Sequence, residues 1–94
     1  MLFMVIERFR NHDAAIAVYA RFREKGRMLP DGLKYVDSWV EMNHSRCFQL
    51  MECDEVGLFE EWTALWSDLV DFEVVAVHAS KDAVATLESG ESKT

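Results

Sequence analysis

Patterns typical of strands flank a helix pattern twice along this chain, and that order constrains the fold more than any single motif. Residues 2–9 are apolar on both sides of an extended chain until Glu7 and Arg8, which predicts a strand at the centre of a sheet. A helical stripe of apolar residues follows and ends at Gly26. Asn11 or Asp13 is placed to cap this helix.

The second half of the chain repeats the pattern. Residues 33–41 and 46–53 predict two strands joined by a hairpin, because both runs are rich in β-branched and aromatic residues. Asp54 is placed to cap a second helix, whose apolar residues recur with helical spacing over 58–69. Residues 71–78 predict the last strand.

The order β-α-β, β-α-β predicts an α+β fold of the ferredoxin-like βαββαβ type, with a four-stranded antiparallel sheet and both helices on one face. This domain is expected to cover residues 1–79. Residues 80–94 are expected to be a polar C-terminal tail that begins as a short helix and ends frayed.

Two helices cover only one side of such a sheet, so its other side must meet water or a partner. We expect the helices to cover Val36, Val40, Phe48 and Leu50. The outer face would then receive Tyr35, Asp37, Trp39, Gln49 and Met51. A face with these aromatic and Met side chains is more apolar than a soluble monomer normally exposes, which predicts a homodimer with its sheets packed face to face.

The element order, the long second strand and the apolar outer face resemble the dimeric α/β-barrel superfamily. The segments MLFMVIERFR, GRMLPDGLKYVDSWVE and RCFQLMECD resemble a bacterial domain-of-unknown-function family within it. The resemblance covers residues 1 to about 78. It implies a dimeric α/β barrel, and it implies no particular reaction, because the superfamily includes monooxygenases, haem-degrading enzymes, isomerases and sensory domains.

Tyr35, Asp37 and Trp39 share one side of a regular strand, and Gln49 is expected on the same side of the next strand. An aromatic cleft with one carboxylate and one amide suits a small, partly apolar ligand with a polar end. In such a cleft Asp37 is a candidate general base if burial raises its pKa. Alternatively, these side chains are dimer contacts and Asp37 pairs with an arginine of the second copy.

Arg8, at the end of the first strand, is a further candidate ligand-binding residue. Inside a cleft its guanidinium group would bind a carboxylate or phosphate through two hydrogen bonds. The alternative is an ion pair at the strand edge with Glu52 or Asp54.

The histidine and cysteine residues predict neither a metal site nor a cofactor. His12, His44 and His78 lack the spacing of shared metal ligands. Cys47 and Cys53 lie six residues apart in one predicted strand, a separation of roughly 20 Å, which is too far for a disulfide bond.

The net charge and the N-terminal segment limit which partners and which compartment are expected. The net charge of −7 argues against nucleic acid as a partner, because phosphate contacts need clustered cations. The apolar run at the N-terminus is too short for a signal peptide or a membrane span, which favours a cytoplasmic protein with no membrane partner.

Two hypotheses for function remain open. The first is a small dimeric protein that binds a small organic molecule in a sheet–helix or barrel cleft, as an enzyme of monooxygenase-like or isomerase-like type without a cofactor. Its lining residues would be Arg8, Tyr35, Asp37, Trp39 and Gln49. The second is a sensor or assembly module without catalytic activity, whose outer face serves only to dimerise.

Overall fold

The computed structural model describes residues 1–89. Its strands are β1 (Leu2–Phe9), β2 (Lys34–Val40), β3 (Arg46–Glu52) and β4 (Val70–Val77), and its helices are α1 (His12–Lys25), α2 (Leu58–Ala64) and α3 (Ser80–Ser89). The predicted α+β class with a four-stranded antiparallel sheet is confirmed.

The strand order in the sheet is β2-β3-β1-β4, and every neighbouring pair is antiparallel. β1 therefore lies at the centre, between β3 and β4. The inner side chains of β1, which include Phe3 and Val5, are buried under the helices, whereas Leu2, Met4 and Ile6 on the other side are only half-buried.

Helix α1 begins and ends at the residues that its sequence predicts. The side chain of the N-cap residue Asn11 accepts a hydrogen bond of 2.8 Å from the backbone N–H of Ala14. The helix ends at Gly26, whose backbone φ of 69° is costly for any residue with a side chain.

Helix α2 is shorter than the sequence pattern predicts. It ends at Ala64, and residues 65–69 form turns before β4 begins. Asp54 does not cap it: the helix begins after Gly57, with no side-chain capping hydrogen bond. The indole groups of Trp62 and Trp66 nevertheless both point inward, because the turns after Ala64 keep Trp66 on the same side.

The hydrophobic core lies between one face of the sheet and helices α1 and α2. Phe3 of β1 packs edge-on against Phe59 of α2, with ring centroids 5.0 Å apart. The largest fully buried side chains are those of Trp62, Met51, Val5 and Val70. Both helices therefore cover the same face, which we call the inner face.

The structure divides the side chains of β2 differently from the regular alternation expected. A β-bulge lies between Tyr35 and Asp37, so that Tyr35 is opposite Met51 and Asp37 is opposite Leu50. The extra residue reverses the alternation. Tyr35 therefore lies on the inner side, whereas Asp37 and Trp39 lie on the outer face.

The expected orientation of β3 is wrong. Cys47, Gln49 and Met51 are buried on the inner face, and Phe48 and Leu50 lie half-buried on the outer face. The register with β1 sets this orientation, because Gln49 lies opposite Val5 and Met51 opposite Phe3. Gln49 is accepted there because its amide group has hydrogen-bond partners, described below.

Residues 80–89 form helix α3, where the C-terminal tail was expected to begin as a short helix. Val84 and Leu87 of α3 are both mostly exposed and lie three residues apart on one side of the helix. The expectation of a frayed end for the last residues falls on 90–94, which lie outside the described residues.

Candidate functional site

A cavity of about 110 Å³ lies between the inner face of the sheet and helices α1 and α2. Its apolar wall is mainly aromatic and includes Phe9, Trp62 and Trp66, whereas Tyr19 and Phe22 at its edge are partly exposed. Its polar lining comes from Glu7, Arg27, Ser38, Cys47 and Gln49. The cavity therefore joins an apolar wall to a small group of polar side chains, which is the usual composition of a ligand site.

The carboxyl group of Glu7 is buried in this cavity, and burial strongly perturbs its pKa. Its side chain is only 7% exposed, and it accepts a hydrogen bond from the side-chain amide of Gln49. Burial raises the pKa of Glu7 from 4.5 to about 7, and the hydrogen bond from Gln49 and the charge of Arg27 partly oppose this rise. Glu7 is therefore able to gain or lose a proton near neutral pH.

Arg27 binds the side-chain amide of Gln49 on the side opposite Glu7. Its Nε donates a 3.2 Å hydrogen bond to Oε1 of Gln49, which orients the amide so that its NH₂ group faces Glu7. The guanidinium carbon lies 3.6 Å from the ring centroid of Tyr35 and 4.9 Å from that of Phe22. The cation is therefore within cation–π distance of two aromatic rings.

The backbone of Arg27 is fixed as well. Its carbonyl oxygen accepts hydrogen bonds from the indole N–H groups of Trp62, at 2.8 Å, and Trp66, at 3.2 Å. These two bonds satisfy the buried indole donors and connect the loop after α1 to α2 and to the turns that follow α2. Arg27 is thus positioned through both its main chain and its side chain.

Cys47 also lines the cavity, but its chemistry is that of an inert thiol. Burial and the nearby charge of Glu7 raise its pKa to about 12, although Arg27 partly opposes the rise. The nucleophilic form of cysteine is the thiolate, so Cys47 is a poor nucleophile at neutral pH. Cys47 and Cys53 are both free, in agreement with the predicted absence of a disulfide bond between them.

The five residues predicted to bind a ligand lie on two sides of the sheet. Gln49 and Ser38, the hydrogen-bond partner of Tyr35, line the cavity, and Tyr35 reaches it by stacking on Arg27. Asp37 and Trp39 lie on the outer face, opposite Leu50 and Phe48. The structure therefore does not bring the five residues into one cleft.

Arg8 lies on the exposed, outer side of β1. Its Nη1 forms an ion pair of 3.1 Å with Glu73 of β4, and neither Glu52 nor Asp54 is its partner. Both members of the pair are about half exposed, so the bond contributes little to stability. A role for Arg8 in binding an anionic ligand stays a prediction.

Sequence reasoning missed the two charged residues of the cavity. Glu7 had a readable signal, because it lies two and four residues after Val5 and Phe3 on the inner side of a central strand. Arg27 had none, because it follows a run of basic residues at the end of α1, and such residues are expected there from the helix dipole alone.

The histidines are exposed and lie in separate elements. Within the described part of the chain, no group of three or more His, Cys, Asp and Glu side chains is arranged to hold a metal ion. None of the helices in residues 1–89 has the length and apolar character needed to span a bilayer.

The fold and cavity together define a small α+β protein in which an antiparallel sheet and two helices enclose a buried carboxyl group. The chain belongs to the family described as Domain of unknown function (DUF3303), whose model matches residues 1–91. The match extends through α3, beyond the span on which the resemblance was based. Searches of curated proteins and of solved structures gave no match.

Proposed function

We propose that this protein binds a small organic molecule in the inner cavity and that Glu7 exchanges a proton with it. The observation that carries the proposal is the buried Glu7 carboxyl group at the wall of an aromatic cavity, held by Gln49. A structural carboxylate is normally exposed or paired with a cation, whereas Glu7 has only a neutral amide as its hydrogen-bond partner among the described residues.

The size of the cavity favours one of the reaction types over the other. A cavity of roughly 150 Å³ is large enough for benzene, so one of about 110 Å³ suits a ligand of similar or smaller size. A polycyclic substrate of the monooxygenase-like type is too large for it. An isomerase-like reaction needs only a small substrate and one group that moves a proton near neutral pH, and Glu7 fits this role.

Blocking the edge of the cavity tests this proposal. Val40 lines the cavity and is 41% exposed, so Val40→Trp is expected to fill the opening and to weaken ligand binding at least about tenfold. The measurement is ligand-observed NMR with a library of small organic acids, amides, alcohols and ketones. Val36→Trp is the matched control, because Val36 lies in the same strand, is exposed and does not line the cavity.

The proposal predicts that some of these compounds bind the wild-type protein and the Val36→Trp variant but not the Val40→Trp variant. If no compound binds the wild-type protein, or if Val40→Trp leaves binding intact, the inner cavity is not a ligand site. The protein would then fit the alternative of an assembly module without catalytic activity.

We also propose that the chain forms a homodimer of the dimeric α/β-barrel type through its outer face. Two features support this: the strand order agrees with a ferredoxin-like fold, and the outer face is mostly apolar. Its apolar side chains come from all four strands: Leu2, Met4, Ile6, Trp39, Phe48, Leu50, Val75 and Val77.

Trp39→Glu tests the dimer. Trp39 is 52% exposed in the single chain and lies opposite Phe48 on the outer face. A carboxylate at this position is expected to raise the dimer dissociation constant at least about thirtyfold, as for a central interface residue. Analytical ultracentrifugation measures this constant. Val56→Glu, an equally exposed position in the loop before α2, should leave it unchanged. A wild-type protein that is monomeric at all concentrations would contradict the dimer.

A further inference from the structure

We propose that the occupant of the inner cavity is a small organic carboxylate, bound by the guanidinium group of Arg27 next to the Glu7 carboxyl group. This inference rests on the proposed function, because it names the ligand class of the same cavity. It is carried by the bonding of Arg27, by the charges around it and by the shape of the cavity.

The guanidinium group of Arg27 has donors to spare. Its Nε binds Gln49, whereas Nη1 and Nη2 donate to no other group in residues 1–89. The rings of Tyr35 and Phe22 keep the group in one orientation, so the two nitrogen atoms form a fixed fork. Such a fork matches the two oxygen atoms of a carboxylate, with which arginine forms paired hydrogen bonds.

Charge balance distinguishes Arg27 from the other arginines. Four arginines each pair with a carboxylate within 4.0 Å: Arg8 with Glu73, Arg10 with Asp71, Arg21 with Asp68 and Arg46 with Glu41. Arg23 is exposed to water. Arg27 is partly buried and has no carboxylate partner in the described part of the chain. A partly buried cation without a counter-ion favours an anionic ligand.

The rest of the cavity defines the body of the ligand. The aromatic wall formed by Trp62, Trp66 and Phe9 suits carbon atoms, and Ser38 offers a hydroxyl group on the β2 side. With about 110 Å³ available, the body is limited to a short chain or a small ring, of at most about six non-hydrogen atoms. Small aliphatic or unsaturated acids fit this description.

Binding of a carboxylate should be coupled to protonation of Glu7, because two carboxylates would otherwise share one cation. The titratable groups near Glu7 are Arg27 from the loop after α1, Cys47 from β3 and Tyr19 from α1. β2 contributes the neutral Ser38, α2 and the turns after it contribute the indole groups of Trp62 and Trp66, and β4 places Phe72 opposite Glu7. Arg27 is the only cation among them, so an ionised Glu7 competes directly with the ligand for its charge.

Calorimetric titration with matched acids and amides tests this inference. Propanoate and butanoate are expected to bind at about pH 6 at least about tenfold more tightly than propanamide and butanamide. Their affinity should fall at least about tenfold by about pH 8.5, as Glu7 ionises. Titrations in buffers of different ionisation enthalpy should show uptake of protons on binding.

Variants separate the role of Arg27 from its contribution to folding. Arg27→Met keeps an unbranched side chain over Tyr35 and is expected to weaken butanoate binding by a factor of about 10 to 100. Arg27→Lys keeps the charge but loses the paired donors of the guanidinium group. Its affinity for butanoate should lie between those of the wild-type protein and Arg27→Met. Arg23→Met is the control for loss of one positive charge and should bind butanoate as the wild-type protein does. Circular dichroism at the binding temperature verifies that each variant is folded.

The outcomes separate this inference from the proposed function. If carboxylates bind the wild-type protein and bind Arg27→Met more weakly, the result supports both the carboxylate inference and the proposed function. Amides or other neutral compounds that bind in the cavity as well as the acids do, or binding of acids that Arg27→Met leaves intact, overturn the carboxylate inference and leave the proposed function standing. If neither acids nor neutral compounds bind below about 10 mM, both fail.

Discussion

Replacing Trp62 with alanine is expected to lower the free energy of unfolding by about 3–5 kcal/mol, the usual cost of removing a buried Trp or Phe side chain. The indole group of Trp62 is 2% exposed, packs near the ring of Phe72 and donates a hydrogen bond to the carbonyl oxygen of Arg27. For a domain of this size such a loss is a large part of the total stability. The variant is expected to be largely unfolded at moderate temperature.

Urea-induced unfolding followed by circular dichroism measures this loss, with two variants for comparison. Trp62→Phe keeps most of the apolar volume, and Trp66 still donates to the Arg27 carbonyl oxygen, so a smaller loss of about 1 kcal/mol is expected. Leu65→Ala removes a side chain that is 45% exposed and should cost less than about 1 kcal/mol. Equal losses for Trp62→Ala and Leu65→Ala would contradict the packing described above.

Glu7→Gln is expected to remove a pH dependence of stability worth about 3 kcal/mol. The folded protein holds the pKa of Glu7 at about 7, above its ordinary value of 4.5. Glu7 therefore binds its proton more tightly in the folded state than in the unfolded state. The stability from this proton is therefore fully present below about pH 4.5, is lost as the pH rises to about 7 and stays lost above it.

The measurement is the difference in free energy of unfolding between Glu7→Gln and the wild-type protein, at several pH values from about 4.5 to 8. The variant should gain about 3 kcal/mol relative to the wild type over this range, because glutamine carries no charge to bury. Glu61→Gln, on an exposed position of α2, is the control and should keep the wild-type pH dependence. A difference that does not change with pH would show that Glu7 titrates normally in the folded protein.

The helices and strands can be predicted from the sequence because each one has a local cause. The cap at Asn11 and the end of α1 at Gly26 depend on a few neighbouring residues. The central position of β1 follows from its apolar residues on both sides. The end of α2 is harder to predict from the sequence, because the helical spacing of apolar residues continues through Trp66 and Leu69 although the helix ends at Ala64.

The orientation of side chains in β2 and β3 depends on contacts that are distant in sequence. A single bulge next to Tyr35 places Tyr35 on the inner side, whereas Asp37 and Trp39 lie on the outer face as expected. No residue in the segment marks this bulge, since its extra residue, Val36, is a good strand former. In β3 both sides are apolar, so only the register with β1 decides that Gln49 points inward.

The cavity of the structure differs in position from the cleft that the sequence predicts. An aromatic cleft with a carboxylate and an amide is what the structure contains, and Gln49 is its amide. The carboxyl group is that of Glu7 rather than Asp37, because burial and Gln49 act on Glu7 while Asp37 lies on the outer face. The cation is Arg27, whose stacking on Tyr35 joins residues of the loop and of β2.

The carbonyl oxygen that accepts both indole N–H groups gives the protein a built-in optical reporter. Two of its three tryptophans donate hydrogen bonds to this one oxygen atom and line the cavity. The third, Trp39, lies on the outer face of the sheet. Emission from a Trp39→Phe variant therefore comes from the cavity alone. The proposed filling of the cavity would be followed in that variant without any added dye. The proposed pairing of two chains would change the Trp39 emission, which is the difference between the wild-type protein and the variant.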